Sequence, residues 1–286
     1  INFAHGDLFM LGTFLALTIL GALGIDATSA TGPKAGAIAL MLVVAPAFCA
    51  GLNWAIDRLA YKPLRNAPKL APLVAAIGVS FVLQNLGLFW GGLPMEVFGG
   101  GRAAAAPKDF PDLISNVNVL ETIGLHTQVQ FGTKELMVWL VTIPVLVGLT
   151  LFVKYSKLGV AMRATAQNPV AAQLMGIDVD RVIGATFLIG GALGGFAGVI
   201  YPLYNNTIYF QLGYRSGMDA FTAAVLGGIG NLPGAMIGGL IIGVVRAMSD
   251  QYVELRWTNS IVFGILILIL VFRPSGLLGA HTREKV

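Results

Sequence analysis

Long apolar stretches alternate with short polar segments along this chain, and their lengths predict helices embedded in a membrane. A helix needs about 20 apolar residues to cross the roughly 30 Å hydrocarbon core of a bilayer. The predicted embedded segments are 8–25, 35–56, 70–93, 135–153, 182–203, 218–230, 234–248 and 258–272. The pattern therefore predicts a single-domain, all-α polytopic integral membrane protein with about seven to eight membrane-embedded segments.

Segment 218–230 is short and rich in glycine. Asn231 and Pro233 interrupt the apolar pattern after it, so a re-entrant hairpin and two complete helices both remain open. Asp219 is expected to cap the N-terminus of this segment, because a carboxylate there can accept hydrogen bonds from unpaired N–H groups; a ligand-binding role is the alternative.

Basic residues indicate which loops face the cytoplasm, since Lys and Arg are enriched on that side of a membrane. They concentrate in 58–69, around the polar segment 155–181 and after Arg273, and these regions are predicted to be cytoplasmic. The Gly- and Pro-rich loop 94–133 balances its bases with acids and is predicted to be extracytoplasmic. A short strand is expected at 129–131 within this loop.

Composition agrees with a location in the bilayer. The 286 residues are 56% hydrophobic and 11% charged, less than half the charge of an ordinary soluble domain. The net charge of +4 comes from bases spread between apolar segments, which favours contact with lipid rather than nucleic acid. The one cysteine, Cys49, rules out an internal disulfide.

Motifs for catalysis, nucleotide binding and metal binding are missing from the sequence. It contains no G-x-x-x-x-G-K-[ST] loop to hold nucleotide phosphates, so any ATP hydrolysis must come from another subunit. His5, His126 and His281 lie far apart, with no H-E-x-x-H or cysteine cluster beside them. We therefore predict no catalytic residue, no metal site and no cofactor.

A few polar residues near or within the apolar segments are candidates for a translocation path. They are Asn2, His5, Gly6, Gln84 and Asn85. Polar groups at membrane depth need partners, and helix starts offer N–H groups to a carboxylate. A local turn at 2–6 and interhelical hydrogen bonds from the amides stay open as alternatives.

Glycines in segment 182–203 follow a spacing of four residues. Gly190, Gly194 and Gly198 form one row, and a second pair at 191 and 195 follows the same spacing. Small residues at this spacing let two helix backbones approach closely. We expect the row to be a helix-packing face.

The polar segment 155–181 carries signals for a short helix. Asn168 suits an N-cap, Pro169 the first helical position, and Gly176 the left-handed residue after the end. These signals predict a helix over 169–175. A helix so short is unstable on its own, so it is expected to lie against another surface. From the spacing alone, a simple connecting loop between two membrane segments stays open as the alternative.

The same segment resembles a known docking motif. Val170, Ala171, Ala172 and Gly176, followed by Ile177, resemble the EAA-type loop by which ABC importer permeases contact their ATPase subunits. The resemblance implies that the coupling residues are Val170, Ala171, Ala172, Leu174, Gly176, Ile177 and Asp178. Val170 stands where the general motif carries Glu, so a contact that needs that carboxylate is not expected here.

Within that group, the chain is similar to permeases of the hydrophobic amino acid uptake class, the LivH-type branched-chain amino acid permeases. The similarity is carried by LGVAMRATAQNPVAAQLMGIDVDRVI, INFAHGDLFMLG, LAYKPLR, LVAAIGVSFVLQNL, AAVLGGIGNLPGAMIGG and FRPSGLLG. Members of this family carry a further hydrophobic segment before INFAHG. The resemblance therefore implies a first membrane helix before Ile1.

The resemblance also implies a function and a set of partners. The expected function is transport of leucine, isoleucine, valine or similar hydrophobic amino acids across the bacterial inner membrane, without enzymatic activity in this chain. The expected partners are cytosolic ABC ATPase subunits, a second permease subunit of the LivM type and an extracytoplasmic amino acid binding protein. An importer for urea or short amides, a facilitative channel and a membrane-embedded enzyme are the alternatives.

Overall fold

Helices form most of the structure, as the apolar pattern predicts. The computed structural model describes residues 2, 4–65, 67–68, 70–101, 103–122, 124, 130–273 and 275–279, except for the side chain of Leu255. Its α-helices are α1 (His5–Leu23), α2 (Thr31–Ile56), α3 (Leu70–Gly91), α4 (Val119–Thr122), α5 (Thr133–Tyr155), α6 (Lys157–Gln167), α7 (Pro169–Leu174), α8 (Val179–Asn205), α9 (Leu212–Gly227), α10 (Leu232–Tyr252) and α11 (Leu255–Phe272). The chain continues from α2 through a π-helical turn, Asp57–Tyr61, and a 3₁₀ turn, Lys62–Leu64. A further 3₁₀ turn is Glu96–Phe98.

Several of these helices have the length and composition of membrane spans. Within the described part of the chain, six are long and apolar enough to cross a bilayer, namely α1, α2 with its continuation to Leu64, α3, α5, α8 and α10. A shorter apolar helix covers Arg256–Phe272. The predicted fold class, an all-α polytopic membrane protein, is confirmed.

The first of two compact units, Ile1–Tyr214, is built around α1. This helix contacts α2, α3 and α8. Its buried side chains point in all directions around the axis and include Leu8, Met10, Leu11, Phe14, Leu17 and Leu20. A helix that is apolar on every side belongs inside a bundle, and α1 occupies that position.

Glycines on α8 let that helix lie directly against two others. A Cβ atom added to Gly198 would lie 2.6 Å from the Phe9 carbonyl oxygen of α1. Cβ atoms on Gly191 and Gly195 would lie 2.4 and 2.5 Å from the carbonyl oxygens of Cys49 and Ala45 on α2. The row at 190, 194 and 198 therefore faces α1, and the pair at 191 and 195 faces α2.

The long loop between α3 and α5 contacts the C-terminal end of α8 through a strand pair and hydrogen bonds. Strand β1 (Lys108–Asp109) pairs in antiparallel fashion with β2 (Thr207–Ile208). Asn206, at a φ of 55°, receives a hydrogen bond from Lys134 Nζ at 2.5 Å and donates one to the Phe110 carbonyl oxygen at 3.3 Å. The predicted strand at 129–131 is wrong at residues 130 and 131, which lie outside any strand, and residue 129 falls outside the described residues.

The second unit, Arg215–Val286, contains most of α9 together with α10 and α11. Its core includes Leu226, Ile242 and Val262. The segment after α11 returns to the turn between α9 and α10, where the Leu277 N–H donates to the Leu226 carbonyl at 2.8 Å and Asn231 Nδ2 donates to the Leu278 carbonyl at 2.7 Å. Two glycine-rich stretches that lie far apart in the sequence thus meet at one end of this unit.

Two helices, α2 and α9, begin at least four residues before the segments predicted for them. Helix α9 begins at Leu212, so Asp219 lies inside the helix and the predicted N-cap at Asp219 is wrong. Helix α2 begins at Thr31, earlier than expected, and includes Pro33 in its first turn. Proline fits there because the first-turn N–H groups have no partner within the helix.

Candidate functional site

The polar segment between α5 and α8 folds into two helices, α6 and α7, each with a side-chain cap. The Ser156 hydroxyl accepts a hydrogen bond from the Gly159 N–H at 2.9 Å, and this cap starts α6. Asn168 Oδ1 accepts one from the Ala171 N–H at 3.0 Å, and Pro169 follows as the first residue of α7. The predicted cap at Asn168 is confirmed, whereas α6 was not predicted, although Ser156 and the amphipathic run after it could have indicated it.

The end of α7 has the hydrogen bonds of a Schellman motif. Gly176 has a φ of +82°, and its N–H donates to the Gln173 carbonyl at 2.9 Å. The Ile177 N–H donates to the Ala172 carbonyl at 3.0 Å. The left-handed conformation predicted for Gly176 is confirmed, and it turns the chain out of α7. Asp178 then caps α8 by accepting from the Arg181 N–H at 3.1 Å.

Helix α7 carries apolar side chains on its exposed side. Val170 is 64% exposed, and Leu174 and Met175 are each 83% exposed, whereas Ala172 is buried. Val170 and Leu174 are four residues apart and lie on one face of the helix. Such a face on a polar loop can bind an apolar groove on another protein.

A cluster of charged side chains links this segment to the turn that follows α2. Lys62 Nζ lies 2.9 Å from Asp180 Oδ2, and Arg65 Nη1 also pairs with Asp180. Arg65 Nη2 donates to both carboxylate oxygens of the buried Asp57, at 2.8 and 2.9 Å. The first turn of α8, where the polar segment 155–181 ends, is therefore joined to the 57–65 turns by two ion pairs, and Arg65 is held in place by a third within those turns.

A cavity of about 400 Å³ lies beside this charged cluster. Its lining includes Trp54, Arg58 and Asp57 on one side and Asp178 and Arg181 on the other. The Arg58 guanidinium lies over the Trp54 ring, 4.9 Å from its centroid.

Three of the predicted path residues, Asn2, His5 and Gly6, lie at the start of α1. Asn2 Oδ1 accepts hydrogen bonds from the Tyr61 hydroxyl at 2.8 Å and from the Ala4 N–H at 3.1 Å. Gly6 is buried. The His5 ring faces α8, where Cβ atoms added to Gly190 and Gly194 would lie 3.7 and 3.6 Å from its Cε1 atom.

The remaining two predicted path residues are separated by the fold. Gln84 Nε2 donates to the Ser80 hydroxyl at 3.1 Å, and that hydroxyl pairs with the fully buried Asp7 of α1. Asn85 is exposed and donates to the Phe81 carbonyl of its own helix at 2.8 Å. The structure thus groups Gln84 with Asp7 and Ser80, which were not among the predicted site residues, and leaves Asn85 outside this group.

The membrane-spanning helices form a bundle that is packed through glycines. Polar groups lie at the start of α1, and a capped polar segment lies between α5 and α8. Together these features define a multi-pass membrane transport protein. The family model described as "Branched-chain amino acid transport system / permease component" matches residues 1–271. This chain belongs to that family. In the described residues, no group of three or more His, Cys, Asp or Glu side chains is placed to hold a metal ion.

Curated relatives match this chain along its whole length. It is 40% identical over 289 residues to the high-affinity branched-chain amino acid transport system permease protein LivH of Salmonella typhimurium (strain LT2), with 100% of this chain and 88% of that protein covered. It is 39% identical to LivH of Escherichia coli (strain K12) and 37% identical to BraD of Pseudomonas aeruginosa, with the same coverage. No solved structure gives a significant match.

Proposed function

We propose that this chain is the permease subunit of an ABC importer that carries leucine, isoleucine, valine or similar hydrophobic amino acids inward across the bacterial inner membrane. The observation that carries the proposal is the full-length similarity, at 37–40% identity, to three permeases named for high-affinity branched-chain amino acid transport. Its expected partners are cytosolic ABC ATPases, a second permease subunit of the LivM type and an extracytoplasmic binding protein.

The structure of segment 155–181, called the docking segment from here on, supports docking to the ATPase. We infer that the exposed side chains of Val170, Leu174 and Met175 enter an apolar groove of that subunit, and that Ala171, Ala172, Gly176, Ile177 and Asp178 shape the segment that presents them. Motion of α7 would then reach the spans through α8 and the ion pairs of Asp180 with Lys62 and Arg65. Helix α5, which ends at Tyr155, and the start of α8 flank the segment on its two sides.

Placement of the path residues supports a route beside α1. Asn2, His5, Gly6 and Gln84 lie at or near the start of that helix, within the bundle formed with α2, α3 and α8. Few charges line this region, so contacts with a passing zwitterion would be weak and brief. We therefore expect the external binding protein to set most of the selectivity.

Uptake and association measurements test the proposal. The permease is expressed with its neighbouring ATPase, permease and binding-protein genes in cells lacking other amino acid importers, and accumulation of labelled leucine, isoleucine, valine and urea is measured. We expect the three amino acids to accumulate and the ATPase to copurify. Uptake of urea but of none of the three amino acids would show that the proposed substrate class is wrong. Uptake that persists when a substitution of the Walker A lysine inactivates the ATPase would identify a facilitative channel.

A further inference from the structure

An ion pair in the second unit places charge within helices that the sequence predicts to be membrane-embedded. Arg246 of α10 donates through Nη2 to Asp219 Oδ1 of α9 and, at 3.0 Å, to Asn259 Oδ1 of α11. The Arg246 side chain is 17% exposed and that of Asp219 is 30% exposed. Charged side chains at membrane depth are costly and usually have a function, so this pair requires an explanation.

The three residues lie at a similar depth along their helices. At 1.5 Å per residue, Arg246 lies about 9 Å from the Tyr252 end of α10. Asp219 lies about 11 Å from the Leu212 end of α9 and Asn259 about 6 Å from the Leu255 end of α11. With the segment after Arg273 in the cytoplasm, as the charge pattern predicts, these helix ends face outward. The pair then lies in the outer part of the membrane, on the side from which substrate arrives.

Arg246 has hydrogen-bonding capacity that its neighbours do not use. Its Nε atom is buried and has no hydrogen-bond partner, while Nη2 serves both Asp219 and Asn259. A buried donor without a partner is unfavourable, so natural proteins rarely leave one without a reason. A carboxylate is the group that pairs best with two adjacent N–H groups of a guanidinium.

We propose that Arg246 and Asp219 form an outer-side binding site for the backbone of a zwitterionic amino acid, with Arg246 binding the α-carboxylate and Asp219 the α-ammonium group. This inference rests on the proposed function. Binding opens the Arg246–Asp219 pair and replaces it with two pairs to the substrate, so no charge is left without a partner. Release closes the original pair again, which keeps the contact reversible.

A purely structural ion pair makes a different prediction from a substrate site. If the pair only holds α9 against α10, exchanging the charges preserves it, because attraction between the two side chains does not depend on which helix carries which charge. A substrate site does depend on which helix carries which charge, since the carboxylate and the ammonium group of the substrate must meet their partners in a fixed orientation. The exchanged variant Arg246→Asp with Asp219→Arg therefore separates the two roles.

The first experiment measures leucine uptake into proteoliposomes that hold the complete importer. Arg246→Gln and the exchanged variant are expected to lower uptake by about 10–100-fold, because each removes a charge-assisted contact to the substrate. Arg256→Gln is the matched control, since Arg256 is an exposed arginine of the same unit that pairs with Glu254. Full uptake by the exchanged variant would show that the pair is only structural, and full uptake by Arg246→Gln would show that transport does not need the pair; either result overturns the site.

A second experiment keeps the inference testable if a variant fails to insert. Saturation-transfer difference NMR detects weak binding, and it is recorded on the wild-type permease–ATPase complex without the binding protein, with leucine, leucinamide or 4-methylpentanoate. Leucine is expected to give a signal at least several-fold stronger than leucinamide, which lacks the carboxylate, or 4-methylpentanoate, which lacks the ammonium group. Equal signals from all three would overturn the site. Absence of leucine, isoleucine and valine uptake by the wild-type importer would instead overturn the proposed function.

Discussion

Arg65 holds the buried carboxylate of Asp57 through a single guanidinium nitrogen, with distances of 2.8 and 2.9 Å from Nη2 to the two carboxylate oxygens. Its other terminal nitrogen, Nη1, pairs with Asp180 at the start of α8. One side chain thus connects the turn after α2 with the end of the docking segment. In the proposed mechanism, Arg65 and Lys62 are therefore the side chains that would pass a movement of α7 to the turns after α2.

Replacing Arg65 by Gln is expected to uncouple transport from ATP hydrolysis. The change leaves Asp57, which is only 2% exposed, without its charged partner, at a cost of about 1–3 kcal/mol in folding free energy. It also removes one of the ion pairs to Asp180. The measurement is leucine transported per ATP hydrolysed in proteoliposomes, together with the melting temperature of the purified complex.

The neighbouring Arg58 provides the control for this change. Arg58 belongs to the same turn but is exposed and stacks on Trp54 instead of joining the ion pairs. Arg58→Gln is expected to keep the wild-type ratio of leucine to ATP. An equal loss in both variants would mean that any charge removed from this turn disturbs transport, and would exclude a specific role for Arg65.

Gly176→Arg is expected to abolish uptake and loosen the ATPase while leaving membrane insertion intact. The φ of +82° is unfavourable for a residue with a Cβ atom by about 1–2 kcal/mol, and a long cation beside the exposed face of α7 obstructs docking. A Cβ atom at this position meets nothing within 4 Å, so the fold itself has room for a side chain. Permease in membranes, ATPase pulled down with it and leucine accumulated are quantified in parallel.

Gly176→Asn separates backbone strain from obstruction of the docking face. Asparagine tolerates the left-handed conformation better than other non-glycine residues and adds little bulk. We expect this variant to keep most of the association and uptake. A Gly176→Arg variant with full uptake and full association would show that the segment is only a connector.

Gly198→Ala is expected to destabilise the first unit. The added Cβ atom would lie 2.6 Å from the Phe9 carbonyl oxygen and 3.1 Å from Gly12 Cα, so α8 and α1 must move apart. Overpacking of this kind costs about 1–3 kcal/mol. Thermal denaturation of the complex in detergent, followed by size-exclusion chromatography, measures the loss.

Gly51→Ala is the matched control for the packing prediction. Gly51 lies in α2, and a Cβ atom there meets nothing within 4 Å. Alanine favours the helix over glycine by about 1 kcal/mol, so thermal stability is expected to hold or rise. Equal stability of the Gly198 and Gly51 variants would contradict the close contact between α8 and α1.

Single cysteines are expected to reveal the membrane orientation. In a Cys49→Ala background, Ala105→Cys in the loop between α3 and α5 should react with an impermeant maleimide in intact spheroplasts. Gln167→Cys in the docking segment should react only after the membrane is opened. Both positions are exposed, so orientation rather than burial decides the result. Labelling of Gln167→Cys in intact spheroplasts would contradict the predicted topology.

Features set by neighbouring residues could be predicted from the sequence. Asn168, Pro169 and Gly176 delimit α7 through hydrogen bonds and backbone angles that span only a few residues, so their residue types were sufficient. Segment 135–153 likewise lies within α5, because an uninterrupted apolar run has few alternatives to a helix in a bilayer. The prediction of a strand at 129–131 was wrong at residues 130 and 131, because strand pairing depends on a partner elsewhere in the chain rather than on neighbouring residues. The actual strand, β1, pairs with residues almost one hundred positions away.

Hydrophobic length, helix propensity and capping act within short stretches of chain, so residue types alone predicted the class of protein, the approximate membrane helices and both ends of α7. Which polar residues meet depends instead on how the helices pack. Gln84 and Asn85 are adjacent in sequence, yet the rotation of α3 turns the face that carries Ser80 and Gln84 toward Asp7 of α1 and leaves Asn85 exposed. Arg246 meets Asp219 and Asn259 because three helices pack side by side. Such contacts depend on helix rotation and depth, which no short stretch of sequence specifies.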